Sequence, residues 1–240
     1  MIERAPHFGR SVTGLEEWEA IDPDALTSGT PVQRGRLAEE AEEDDAAGYL
    51  AGVWDCTAFT AHPWPHPSDE FMLLLEGSVI MRMPDGSEIT VGRGEAFVLP
   101  KALDCQWVQP GYVRKVFVIV DMTEGDPLSP ERPDPSLARV TVPDLAPPPE
   151  EGPVAACRTW FEHATGRMTV AVRSHAGGAT LQAAAPAHEL LHALEGEVTL
   201  TAGDAETRLG AGETAHIRTG TPVARAVEPG TRVVEARHRP

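Results

Sequence analysis

Short apolar runs alternate with turn residues along most of the chain. Val79–Met83 and Glu88–Val91 flank Pro84-Asp85-Gly86, a pattern typical of a β-hairpin closed at an Asp-Gly turn. Further strand-like runs follow at Ala96–Leu99, Cys105–Gln109 and Arg114–Val120. Turn signals recur roughly every 8–12 residues, which favours an all-β sandwich or closed barrel over an α/β fold. Helical patterns are few, and Leu15–Ile21 is a weak candidate.

The pattern occurs twice. The segment Asp69–Val79 aligns with His188–Val198 at an offset of 119 residues, and the Gly92–Gly94 turn aligns with Gly210–Gly212 at 118. An offset that stays within one residue over such a distance indicates two copies of one domain, each of about 100 residues. The sequence therefore predicts two all-β domains of the same architecture in one chain.

Proline marks the boundary between the two copies. We assign residues 1–123 to an N-terminal arm plus the first copy, whose core covers about 48–121. Residues 124–153 hold nine of the 22 prolines and are predicted to form a proline-rich linker. Residues 154–240 form the second copy. The carboxylate-rich run 39–45 is interpreted as a solvated loop.

Charge and composition narrow the function. The 240 residues carry 20 Lys plus Arg against 37 Asp plus Glu, a formal net charge of −17. No basic face is available for phosphates, so we expect neither nucleic acid nor an anionic membrane as a partner. The first residues show no basic-then-apolar leader, and the three cysteines form no CxxC pair, which favours a cytoplasmic protein. A small molecule remains the expected partner, and a homodimer stays open.

The strongest motif lies in the first copy. His66-x3-Glu70-x6-Gly77 and Gly94-x5-Pro100 stand in the order and spacing of the two cupin motifs. The sequence thus resembles the cupin superfamily, and the surrounding residues are similar to its (S)-ureidoglycine aminohydrolase-type and ethanolamine-utilisation-type branch. The resemblance implies two cupin-type double-stranded β-helix (jelly-roll) barrels. It also implies a divalent metal (Mn, Zn, Ni or Fe) held by imidazoles and a carboxylate.

The ligand positions implied by the resemblance are only partly filled. Trp64 stands at the first histidine position, His66 at the second, Glu70 at the glutamate and Cys105 at the histidine of the second motif. The candidate metal ligands are therefore His66, Glu70 and Cys105, with His62 as a substitute for a missing histidine. The alternative is that no metal binds, that Glu70 bonds backbone groups or a polar ligand, and that Cys105 is a small buried residue.

Strand alternation groups the same residues around one cavity. Positions 64 and 66, and positions 105 and 107, point to the same side of their strands. We expect Trp64, Trp107, Cys105 and His62 to line a ligand pocket. Glu70 and His66 are the candidate catalytic groups, because a paired carboxylate and imidazole can move protons.

The second copy keeps less of the motif. Ala185 takes the place of His66, Glu189 that of Glu70 and Val223 that of Cys105. Its histidines fall outside the ligand positions and are interpreted as core or interface residues; they are His188, His192 and His216. We expect this copy to be a structural partner of the first.

The sequence is compatible with two functions. One is a metal-dependent, aminohydrolase-like hydrolase acting on a small polar metabolite, as the resemblance implies. The other is a non-catalytic bicupin that binds a small molecule without a metal, which the missing histidines favour.

Overall fold

The computed structural model describes residues 7–8, 13–40, 48–120, 138–140, 156–163, 166–182 and 184–239. The chain divides into two compact units, Val12–Arg139 and Val140–Pro240, the latter together with Met1–Ser11. Most described residues are β-strand, and among them the one helical element is a 3-10 turn at Pro23–Ala25. The proposed linker lies outside the described residues except for 138–140.

The strands are numbered in chain order. The described strands up to residue 140 are β1 (His7–Phe8), β2 (Glu16–Glu17), β3 (Leu26–Gly29), β4 (Gln33–Glu40), β5 (Tyr49–Cys56), β6 (Phe59–Ala61), β7 (Trp64–Pro65), β8 (Asp69–Glu76), β9 (Ser78–Arg82), β10 (Glu88–Gly92), β11 (Ala96–Leu99), β12 (Asp104–Gln109), β13 (Val113–Val120) and β14 (Ala138–Val140). The later ones are β15 (Ala156–Glu162), β16 (Met168–Ser174), β17 (Gly178–Gln182), β18 (His188–Glu195), β19 (Glu197–Ala202), β20 (Ala205–Gly210), β21 (Thr214–Ile217), β22 (Val223–Val227) and β23 (Arg232–His238).

The first unit is built from two sheets. One has the order β14-β11-β8-β13-β5-β4-β2 and the other β10-β9-β12-β6-β3, with β7 also paired to β12. Side chains of alternating positions, among them Met72, Leu74, Phe97 and Phe117, form a buried core. Because Glu70 has the same parity as Met72 and Leu74 on β8, it projects toward that core.

The second unit repeats this arrangement. Its sheets have the orders β1-β21-β18-β23-β16-β15 and β17-β22-β19-β20. Leu191, Leu200, Leu209 and Val233 belong to its buried core. The predicted fold class, two double-stranded β-helix barrels in one chain, is confirmed. The strand His7–Phe8 pairs with β21 in this unit.

Two local predictions have opposite outcomes. The hairpin at Pro84-Asp85-Gly86 is confirmed, because Glu88 pairs with Arg82 and Gly86 has a φ of +84°. The helix over Leu15–Ile21 is wrong, since this segment is extended and contains β2. The Trp18 ring lies edge-on to Phe117 with centroids 6.5 Å apart, and this packing outweighs the weak helical pattern.

One motif glycine is required by its surroundings. Gly77 has a φ of +78°, and a Cβ atom at this position would lie 2.0 Å from the carbonyl oxygen of Tyr112. Gly94 has a similar φ of +82°, but a Cβ there would meet nothing within 4 Å. The two positions therefore share the backbone strain of a left-handed conformation and differ in the steric clash.

We expect Gly77→Ala to lower the free energy of unfolding by several kcal/mol. Gly94→Ala should lower it by about 1 kcal/mol, because this substitution causes backbone strain without a steric clash. Urea unfolding of both variants measures the difference. Equal losses would show that the approach of Tyr112 does not constrain position 77.

No helix among the described residues is long and apolar enough to cross a membrane.

Candidate functional site

The first barrel contains a cavity of about 370 Å³. This volume is in the range of small-molecule sites. Its walls are largely apolar and its polar groups few; the lining residues are Ile21, Ala25, Leu26, Trp54, Phe59, Ala61, His62, Trp64, His66, Glu70, Leu99, Trp107 and Lys115. Three of these come from the segment before β4, so the N-terminal arm completes the wall of the cavity.

A buried ion pair forms the polar end of the cavity. The Nζ atom of Lys115, on β13, lies 2.7 Å from Oε1 of Glu70, on β8. It also lies 3.0 Å from the Sδ atom of Met72. Both charged side chains are only 10% exposed. Lys115 lies opposite Leu74 in the strand register and reaches Glu70 along the shared inward face. Little solvent screens this pair, so each charge depends on the other.

Aromatic rings surround the same ammonium group. Lys115 Nζ lies 4.8 Å from the ring centroid of Trp54, 5.2 Å from that of Trp107 and 5.8 Å from that of Phe117. These distances are within the range of cation–π attraction, which strengthens when the cation is desolvated. The lysine therefore sits as a fixed positive charge inside the barrel.

His66 stands on the other side of the glutamate. Its Nε2 atom lies 3.4 Å from Oε2 of Glu70, which is long for a hydrogen bond. Its backbone is held firmly, because its N–H donates to Leu103 and its carbonyl accepts from Ala102. Within the described part of the chain, neither ring nitrogen has a hydrogen-bond partner, although both are buried. The imidazole is thus held beside Glu70 with unused hydrogen-bonding capacity.

The charges fix the protonation state of the glutamate. Burial alone raises the pKa of Glu70, but the positive charge of Lys115 and the contact with His66 outweigh it and lower the pKa to about 2. Glu70 is therefore an ionised acceptor near neutral pH and is unsuited to act as an acid by itself.

The structure does not assemble the expected metal ligands. Cys105 is buried in the core rather than on the cavity wall, and burial together with the charge of Asp104 raises the pKa of its thiol to about 11. Among the residues with described positions, no group of three or more His, Cys, Asp or Glu side chains is placed to hold a metal ion. Of the predicted ligands His66, Glu70 and Cys105, the structure brings His66 and Glu70 into contact, and the ligand set stays a prediction.

The lysine also works against a divalent ion at this place. A metal bound to Glu70 would share its carboxylate with an ammonium group 2.7 Å away. The metal and the ammonium would be like charges on one buried carboxylate, and like charges in a low-dielectric environment repel strongly. The residues present do not fit a divalent metal at the position that the cupin motif implies.

Other predicted residues do meet at the cavity. The structure places Trp64, Trp107 and His62 on its wall with His66 and Glu70. A neighbouring amide orients one of these rings, since Trp107 Nε1 donates to Gln109 Oε1 at 3.1 Å. Gln109 in turn donates to the carbonyl oxygens of Cys56 and Thr57, so the wall is anchored to the next strand.

Sequence reasoning missed Lys115, Trp54 and the contribution of the arm. Lys115 is one of only two lysines in the sequence and interrupts the apolar run of β13 at an inward position. A lysine at an inward position between Val113 and Phe117 is unusual without an oppositely charged partner. The position of this lysine in the sequence therefore indicates a buried ion pair.

The second barrel has an ion network at the positions that correspond to the polar end of the first-barrel cavity. Arg225 occupies the position of Trp107 and donates to Glu189 at 2.5 Å and to Glu235 at 2.9 Å. Arg237 and Arg173 also contact Glu235. The motif glutamate of this copy is therefore neutralised by arginine, as that of the first copy is by lysine.

The histidines of the second barrel are buried side by side. The ring centroid of His188 lies 5.9 Å from that of His216 and 6.0 Å from that of His238. Burial, and then the proximity of His188, lower the pKa of His216 to about 3. His192 meets Thr214 through Nδ1 at 2.8 Å. Ala185 and Val223 belong to the apolar core.

Known proteins have the same fold, and a family model matches part of the sequence. Residues 43–117 match the family model described as the EutQ-like cupin domain. No curated protein matches the sequence. A protein with unknown function from Pseudomonas syringae pv. tomato is 18% identical, with a TM-score of 0.63 and coverage of 95% of this chain and 94% of that one.

Two further solved structures have the same fold at lower identity. A cupin 2 conserved barrel domain protein from Leptotrichia buccalis is 11% identical, with a TM-score of 0.64, and covers 99% of this chain and 98% of its own. A salicylate 1,2-dioxygenase from Pseudoaminobacter salicylatoxidans is 12% identical, with a TM-score of 0.57 over 79% of this chain and 68% of that one. The chain therefore has the fold of the cupin superfamily, and its first barrel is similar to the EutQ-like cupin domain.

Proposed function

We propose that this protein binds a small metabolite in the cavity of its first barrel and does so without a divalent metal. The observation that carries the proposal is the Lys115–Glu70 ion pair, 2.7 Å long, at the polar end of an otherwise apolar cavity. The lysine supplies the positive charge that a metal would bring. The tryptophans of the wall provide large rigid surfaces against which a flat molecule stacks.

The second barrel has a structural role in this proposal. Its motif glutamate, Glu189, is engaged by Arg225 and Arg237. These charges are paired with one another, so we place the ligand site in the first barrel.

Blocking the cavity mouth tests the proposal. Ala25 lines the cavity yet is exposed, so Ala25→Trp fills the opening without disturbing the core. We expect at least one of toluene, benzamide, benzoate and benzylamine to bind the wild type with 1:1 stoichiometry in isothermal titration, and Ala25→Trp to abolish that binding.

Ala58→Trp is the matched control for the blocking experiment. Ala58 is also exposed but does not line the cavity. This variant should bind as the wild type does. Absence of binding by all four probes, or equal binding by Ala25→Trp, would contradict a ligand site in the first barrel.

An aminohydrolase-like activity is the second candidate. The His66–Glu70 contact of 3.4 Å favours it, because an imidazole beside an ionised carboxylate serves as a proton carrier. In this chain His66 and Glu70 would carry out the proton transfer. Release of ammonia from (S)-ureidoglycine, lost in His66→Ala, would support it, whereas no release above the uncatalysed rate would exclude this substrate.

A further inference from the structure

We infer that the first barrel selects an uncharged ligand: a flat apolar body with a head group that both accepts and donates a hydrogen bond, such as a carboxamide. The inference rests on the proposed ligand site and adds the charge and the hydrogen-bonding pattern of its occupant. At the polar end of the cavity, the charges of Glu70 and Lys115 compensate each other, and part of the hydrogen-bonding capacity of both groups is unused.

Charge balance is the first step. Glu70 and Lys115 carry opposite charges 2.7 Å apart and are the only Asp, Glu, Lys or Arg side chains among the described residues of the cavity wall. The charges of this carboxylate and this ammonium therefore cancel before a ligand enters. An anionic or cationic ligand would leave one charge uncompensated in a largely apolar cavity, which is costly.

Unused hydrogen-bonding capacity is the second step. A lysine ammonium has three donors. Within the described structure two of them meet Glu70 Oε1 and Met72 Sδ. One donor remains for an acceptor on the ligand. On the other side, Glu70 Oε2 has only the long contact of 3.4 Å with His66, so it retains capacity to accept from a ligand donor.

The position of these two groups within one ion pair determines the head group of the ligand. The remaining Lys115 donor and Glu70 Oε2 belong to one ion pair, so the acceptor and the donor of the ligand must lie close together. A carboxamide, with its carbonyl oxygen and N–H₂ on one carbon, meets both. The apolar remainder of such a molecule would lie against Trp54, Trp64 and Trp107.

Four probes of nearly equal size separate the head groups. Toluene has no polar head group, benzamide is neutral with donor and acceptor, benzoate is an anion and benzylamine is a cation. In isothermal titration at pH 7.5 we expect benzamide to bind at least about tenfold more tightly than each of the other three.

Two variants should change the preference in opposite directions. Glu70→Gln leaves the ammonium without a counter-charge, so benzoate should become the tightest probe. Lys115→Met leaves the carboxylate unpaired, so benzylamine should gain on benzamide. Both shifts in preference are expected because a ligand of the opposite charge restores the neutrality of the variant site.

The outcomes distinguish the inference from the proposed function. Binding of toluene or of a charged probe as tightly as benzamide by the wild type overturns the inference and leaves the ligand site intact. Failure of all four probes contradicts the ligand site itself. The rank order of the four probe affinities for the wild type decides the test, so the test does not depend on whether the variants fold. A variant enters the second comparison only if its far-UV circular dichroism spectrum is unchanged.

Discussion

Replacing Lys115 with methionine should lower the free energy of unfolding by about 3–5 kcal/mol, the loss typical of breaking a buried ion pair. Methionine keeps the apolar stem and removes the charge, so Glu70, whose side chain is 10% exposed, would be left without its partner at 2.7 Å. The cation–π contacts with Trp54 and Trp107 would be lost as well. Urea unfolding at pH 7.5 measures the effect.

The double variant Lys115→Met/Glu70→Gln isolates the ion pair in that loss. With both charges removed, no buried charge remains, and most of the lost stability should return. The pKa of Glu70 should also rise from about 2 when the ammonium is absent. The stability of Lys115→Met should then recover on acidification as the carboxyl group becomes neutral. A loss below about 1 kcal/mol would be typical of a solvent-screened pair and would contradict the burial of these charges.

Acidification should destabilise the second barrel through His216. The pKa of His216 is lowered from 6.5 to about 3 by burial and by His188, so the folded protein keeps this imidazole neutral. Between these two values the unfolded chain binds the proton and the folded chain does not. Stability is therefore fully present above pH 6.5 and falls with decreasing pH, at most by about 1.4 kcal/mol per pH unit for this group.

The pH window separates the histidine from the carboxylates. Glu70, with its pKa lowered from 4.5 to about 2, adds a loss of stability only below pH 4.5. Between pH 6.5 and 4.5 the contribution of His216 is the difference between the wild type and a variant that lacks this imidazole. Urea unfolding of His216→Phe should show a smaller slope in this window than the wild type. Equal slopes in wild type and His216→Phe would contradict the assignment.

The sequence predicted the fold well because the features that specify it are local and repeated. The Asp-Gly hairpin, the alternation of β8 and the offset between Asp69–Val79 and His188–Val198 are all visible in the residues. Gly77 shows how a single motif position constrains the fold. The carbonyl oxygen of Tyr112 lies next to it only in the folded chain, where a larger residue would not fit. The helix over Leu15–Ile21 failed because the segment gains more by packing Trp18 against the barrel.

The site was harder to predict because its chemistry depends on pairing across strands. Motif spacing alone placed Cys105 where a metal ligand was expected, yet the side chain lies in the core. Lys115 lies 45 positions from Glu70 in sequence, and only the pairing of β13 with β8 brings them together. Lys115 lies outside both motif segments, so the resemblance to cupins carries no information about it.

Metal binding by the intact protein tests the central claim most directly. The claim is that Lys115 takes the place of a metal beside Glu70. Protein purified without chelator would be titrated with Mn²⁺, Ni²⁺, Fe²⁺ and Zn²⁺ by isothermal calorimetry, with Glu70→Ala as the control. We expect no stoichiometric binding that depends on Glu70. One equivalent of tightly bound metal in the wild type, lost in Glu70→Ala, would contradict the account.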